Sequence, residues 1–117
     1  MIYLKINDTL YPAELRERTK DLEWNDRRSM SITLHTSYEE VISLFKNDMT
    51  WGHVYQDASY IGANGETITP DPIEYDDSEF SVAGSITDNR NGTVTVKMGE
   101  KTDGEMLREL LEVLNND

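Results

Sequence analysis

His35 and His53 are the only two histidines among 117 residues, and cysteine is absent. Any reactive centre would therefore be built from imidazole, carboxylate and hydroxyl groups. Two histidines on neighbouring strands could hold a transition metal. One beside a carboxylate and a hydroxyl could serve as a general base. Ser29, Ser31 and Ser37 stand close to His35 in sequence, but no G-x-S-x-G nucleophile elbow accompanies them. The densest acids are Asp71, Glu74, Asp76, Asp77 and Glu79, which could offer oxygen ligands to a hard cation. Their spacing lacks the Gly and Asn positions of a specific cage, and such runs ordinarily form a solvated surface. Asp88-Asn89-Arg90-Asn91-Gly92 has the flavour of a calcium loop. An EF-hand needs oxygen ligands at positions one, three and five with Gly at six, whereas Arg90 falls on position three and Gly92 on position five. A hairpin turn accounts for the same residues. No G-x-G-x-x-G or Walker sequence is present to cradle phosphate. Without thiols, disulfides, thiolate zinc sites and cysteine nucleophiles are excluded. The expectation is a chain with no catalytic residue, no cofactor and no metal.

The elements that would position these groups follow from periodicity. Ile2, Leu4 and Ile6 alternate with polar neighbours and predict an opening strand. After an Asn7-Asp8-Thr9 turn, Leu10 to Leu15 can return as a second strand. Pro12 lacks a ladder donor, so this strand should lie at an edge or end early. Arg16 to Arg28 is the most charged segment and reads as an exposed loop or irregular strand pinned by Trp24. Met30, Ile32 and Leu34 alternate with Ser31 and Thr33 as a half-buried strand. Ser37 and Glu40 match a capping box. Tyr38, Val41, Ile42 and Phe45 then share one helical face, which predicts a helix over about 37–47. Trp51 to Gln56 reads as a strand, and Asn64-Gly65 marks a short polar hairpin. The Thr69-Pro70-Asp71-Pro72 connector excludes helix. Phe80, Val82 and Ile86, then Val94, Val96 and Met98, form two alternating runs around a turn in which Asn91-Gly92 is expected to supply the positive φ values. Thr102 and Glu105 form a second capping box, opening a helix over about 103–115 with a stripe of Leu107, Leu110, Leu111 and Leu114. Such a helix is expected to cover a sheet face, the alternative being a helix of another subunit. The order implies one α+β domain over 1–117, with a mainly antiparallel curved sheet, as a sandwich or partial barrel, and both helices packed against it.

Eleven Lys and Arg face 23 Asp and Glu, a net charge of −12. This charge repels nucleic acid and anionic lipid, and no window is long enough to span a membrane. The N-terminus lacks the apolar run of a signal peptide, so a cytoplasmic location, or one in a virion, is expected. A hydrophobic fraction of only 37% suggests a thin core and an apolar surface completed by a protein partner or a second copy. The residues expected to make that contact are Trp24, Arg27 and Arg28, Trp51, and the hairpin tips Asn64 and Arg90, because Trp and Arg are favoured at interface hot spots. Spaced carboxylates offer a second reading, an acidic regulator or nucleic-acid mimic that binds a basic protein.

The succession of a short opening hairpin, WNDRRSMSITL, SYEEVISLF, the Trp51 strand and EYDDSEFSVAGSITDNRNGTVTVKMGEKTDGEMLRELL resembles small proteins of prophages and tailed phages of low-GC Gram-positive bacteria. That resemblance implies a β-rich structural or interaction module of a tail or virion, without enzymatic activity, and carries no individual functional residue with it.

Overall fold

The computed structural model describes residues 1–115. Its class is α+β, with seven antiparallel strands in one open sheet, a separate two-stranded arm and two helices. Strand β1 (Ile2–Ile6) turns through Asn7 and Asp8, both with positive φ, into β2 (Thr9–Asp21). Next come β3 (Arg27–Leu34), α1 (Tyr38–Leu44) and β4 (Gly52–Tyr55). The arm is β5 (Tyr60–Ile61) with β6 (Thr67–Ile68). The chain then returns as β7 (Ile73–Asp76), β8 (Val82–Asp88) and β9 (Val94–Gly99), and ends in α2 (Asp103–Asn115). The order across the large sheet is β7-β4-β1-β2-β3-β9-β8. The sheet stays open and does not close into a barrel, within the expected class of an α+β domain built on a mainly antiparallel sheet.

The long strand β2 is the hinge of this design. Thr9 to Pro12 pair with β1, and from Ala13 onward the strand pairs with β3. Pro12 therefore stands where β2 changes partner, a place that tolerates a missing donor, and the strand runs on well past the expected stop. The charged stretch expected as a loop continues as a paired strand to Asp21. Its two faces are both polar there, so alternation could not reveal it. Only Leu22 to Asp26 form the turn, in which Asn25 and Asp26 adopt positive φ.

One sheet face carries Leu4, Ile32, Leu34, Val94, Val96 and Met98, all essentially inaccessible. Helix α1 closes over it. Ser37 accepts the Glu40 N–H at 3.2 Å, as its capping position requires. Val41 and Phe45 are buried while Tyr38 and Ile42 stay largely open, so the buried face is rotated from the expected stripe. Helix α1 also stops at Leu44, because Phe45 is already extended and turns its ring inward against Trp51. Phe80 lies just ahead of β8 and also packs on Trp51, and the Trp51 indole N–H donates to the Phe80 carbonyl at 3.0 Å. In the β8–β9 turn the positive φ values belong to Arg90 and Gly92, not to Asn91.

The second helix departs from expectation. Its boundaries match, but no residue of α2 is buried, so it does not cover the sheet. The radius of gyration is 17.7 Å, whereas a compact chain of this length has about 13 Å. The molecule is elongated, 66 Å along its longest axis.

Candidate functional site

Most residues whose types suggested contact or chemistry are spent internally. Arg27 is 6% exposed. Its guanidinium lies 4.5 Å over the Trp24 ring and donates to the Trp24 and Glu100 carbonyls and, through both terminal nitrogens, to Glu105. Trp24 is half-buried against Gly84 and Gly99, where a Cβ would come within 2.6 and 2.8 Å of its ring. Glycine at both positions is what lets the indole lie flat on the sheet. Arg28 stacks over Phe80 and joins Glu17, Glu79 and Glu100. Trp51 is 3% exposed. Trp51 and Arg27 are thus packing residues and leave the expected contact surface. Asn64 and Arg90 do stand exposed at their hairpin tips.

The two histidines do not converge. His35 is exposed just beyond β3, whereas His53 lies on β4 with β1 and β2 between them in the sheet. His53 Nδ1 is 2.5 Å from Asp77 Oδ2, and its ring stacks on Tyr75 at 4.6 Å. Burial pushes the Asp77 carboxyl above the usual range, and the imidazole partly offsets that. The Asp77 N–H donates to the Trp51 carbonyl, so this pair fastens the loop ahead of Phe80 to β4. The acidic run is divided in the same way: Glu74 takes Lys5, Asp77 takes His53 and Glu79 takes Arg28. Among the described residues no group of three or more His, Asp or Glu is placed to hold a metal ion.

A second buried polar cluster was not foreseen. Asp21 and Ser29 are fully inaccessible. Ser29 Oγ donates to Asp21 Oδ2 at 2.9 Å and Lys97 Nζ donates to the same oxygen at 3.0 Å. The Lys97 ammonium, helped by Ser29, holds the Asp21 carboxyl below the usual range despite its burial. A register shift in β2 between Arg18 and Asp21 aims this side chain. Pairing that only tertiary structure creates left no signal in the sequence.

What remains unspent is α2. Thr102 and Glu105 cap it reciprocally: the Thr102 N–H donates to Glu105 Oε1 at 2.8 Å and the Glu105 N–H to Thr102 Oγ1 at 3.3 Å. Glu105 also anchors the first turn to Arg27, and Lys101 reaches Glu109. Beyond that root, Met106, Leu107, Leu110, Leu111, Val113 and Leu114 are 48% to 69% exposed. At 100° per residue these six occupy one side of the helix, with Glu105, Arg108, Glu109 and Glu112 on the other. The stripe was legible, but not that it would be left bare.

No family model, curated protein or solved structure matches this chain. Among the described residues no helix is long and apolar enough to cross a membrane.

Proposed function

We propose that this chain is a non-enzymatic protein-interaction module that works by presenting α2 to a protein surface. The observation that carries this reading is the stripe of six apolar side chains on a well-capped helix with nothing among the described residues packed over it. A helix of 13 residues is marginal in water by itself, and helices of this kind take most of their stability from packing one face. A Leu107–Leu110–Leu114 register supplies the i, i+3, i+7 anchors by which a helix seats in an apolar groove. The resemblance to prophage and tailed-phage proteins favours a tail or virion as the setting, and flanking tail or capsid genes would test that setting.

Photo-crosslinking tests the role of the helix. A photoreactive residue at Leu110 should capture a discrete protein that, once purified, binds the chain directly and loses that binding with Leu107→Asp. If a residue at Glu112 captures the same proteins equally well, the apolar face is not the contact and the reading fails.

A further inference from the structure

Two Asn-Gly steps in this chain share a local sequence and a setting. Asn64-Gly65 lies at the tip of the β5–β6 arm and Asn91-Gly92 in the β8–β9 turn, and all four residues are exposed. Both glycines hold positive φ. Glycine has no side chain to shield its nitrogen, and asparagine is among the thermally labile residues. The labile step is attack by the following main-chain nitrogen on the asparagine Cγ. By sequence the two sites are equivalent, but the folded turns make them different. At the arm the nucleophile is engaged, because the Gly65 N–H donates to the Gly62 carbonyl at 3.0 Å. The Asn64 amide there makes no hydrogen bond among the described residues.

In the β8–β9 turn the arrangement is reversed. The Gly92 N–H has no partner among the described residues. Asn91 Oδ1 accepts two hydrogen bonds, from the Thr93 N–H at 3.1 Å and from the Thr93 hydroxyl at 2.5 Å. A main-chain N–H can only donate, so the atom it meets is the amide oxygen and not the amide nitrogen. Asn89 Nδ2 donates to Thr93 Oγ1 at 3.0 Å, which turns the hydroxyl hydrogen towards Asn91. As Gly92 N attacks, negative charge gathers on Asn91 Oδ1, where two donors already point, and donors so placed stabilise an oxyanion. We propose that Asn91 is a deamidation site activated by the fold itself, whereas the same step at Asn64 is held back. Gly92 N gives its proton to water and bonds to Asn91 Cγ. The Cγ–Nδ2 bond breaks, and the nitrogen takes a proton from water and leaves as ammonia. Water then opens the cyclic imide at either carbonyl, to aspartate or to isoaspartate. Either product adds a negative charge to the turn. Isoaspartate also adds a carbon to the main chain, inside the loop that the Asn89 N–H closes on the Thr93 carbonyl at 3.1 Å.

Peptide mass spectrometry of the folded chain, sampled during incubation in mildly alkaline buffer, tests this, with isoaspartyl methyltransferase labelling to read the rearranged product. One hydrogen bond made or lost on the way to the transition state changes the rate about fivefold. The free Gly92 nitrogen and the donors on Asn91 together should put Asn91 about twentyfold ahead of Asn64. In denaturant the two sites should convert at like rates, because only folding separates them. Thr93→Val keeps the side-chain shape and the N–H but removes the hydroxyl. It should slow Asn91 about fivefold in the folded chain and leave Asn64 unchanged. Asn89→Ala frees the Thr93 hydroxyl to turn away and should slow Asn91 as well, so it decides the matter if Thr93→Val disturbs the fold. Equal rates at the two sites in the folded chain, or a faster Asn64, would overturn the proposal. A gap of the same size in denaturant would assign the difference to flanking sequence and also overturn it. So would a variant with native circular dichroism, at Thr93 or at Asn89, that converts as fast as the parent.

Discussion

Replacing Glu105 by Gln tests whether a single ion pair sets the angle at which α2 leaves the fold. The Arg27 side chain is 4% exposed and that of Glu105 is 39% exposed. Removing one partner of a fully buried pair costs about 3 kcal/mol or more, and a surface pair is worth about 0.5 kcal/mol. The mixed burial here places Glu105→Gln at about 1.5 kcal/mol, between those limits. Gln retains the capping geometry toward Thr102, so this substitution isolates the charge. Glu105→Ala removes the cap as well and should cost about 1 kcal/mol more. The sign with pH is fixed. The Thr102 N–H, and then the Arg27 guanidinium, hold the Glu105 carboxyl below its usual range. Its contribution is therefore complete above that range and is lost as pH falls through the lowered value. Urea unfolding at neutral pH should show a lower midpoint with unchanged slope. Amide exchange across 103–115 should quicken more than in the sheet. A midpoint shift worth less than about 0.5 kcal/mol, the scatter of ordinary surface substitutions, would refute the view that Arg27–Glu105 anchors the helix.

Three further substitutions test the interior. Asp21→Asn should cost about 3 kcal/mol by leaving Lys97 without its buried partner, and should flatten the loss of stability on acidification, because the lowered Asp21 carboxyl contributes only above the usual range. Asp77→Asn should behave oppositely in denaturant melts from acid to neutral pH: burial raises this carboxyl, so the parent loses its contribution as pH rises through the raised value, and the amide does not. Gly84→Val should lift Trp24 off the sheet, since even a Cβ would come within 2.6 Å of its ring. The expected cost is about 2 kcal/mol, with a red shift in fluorescence that belongs to Trp24 because Trp51 is sealed inside.

Local chemistry made much of this fold readable from sequence. The Ser37 and Thr102 caps, the Ser29 to Leu34 alternation and the Asn64-Gly65 tip each depend on neighbours a few positions away, and each is found where expected. The misses share one cause. Strand β7 is a short run of Ile73, Glu74, Tyr75 and Asp76, exposed throughout, so no alternation marks it; it exists because β4 offers an edge. The second half of β2 is polar on both faces. Trp24, Arg27 and Trp51 looked like contact residues because large and charged side chains serve interfaces and interiors alike, and only the glycines and carboxylates that meet them in space decide between the two. The α2 stripe shows the same ambiguity, since periodicity establishes an apolar face without saying what lies against it.

That ambiguity closes on the helix for an energetic reason. Every buried side-chain nitrogen and oxygen among the described residues has a hydrogen-bond partner, so the interior carries no unmet polar demand. The Arg27, Arg28 and Asp21 clusters are satisfied, and Trp51 is enclosed. The stripe on α2 is different, because fully burying a leucine side chain is worth about 2 kcal/mol and four leucines here remain half or more exposed. Occupation of that face is a gain in free energy that the fold leaves open. Because α2 is fixed at its root by Glu105 and capped by Thr102, a partner that takes up the stripe meets a helix whose first turn is already held and spends less of that gain on ordering it. A held first turn and a bare apolar face are together what the proposed role of α2 rests on.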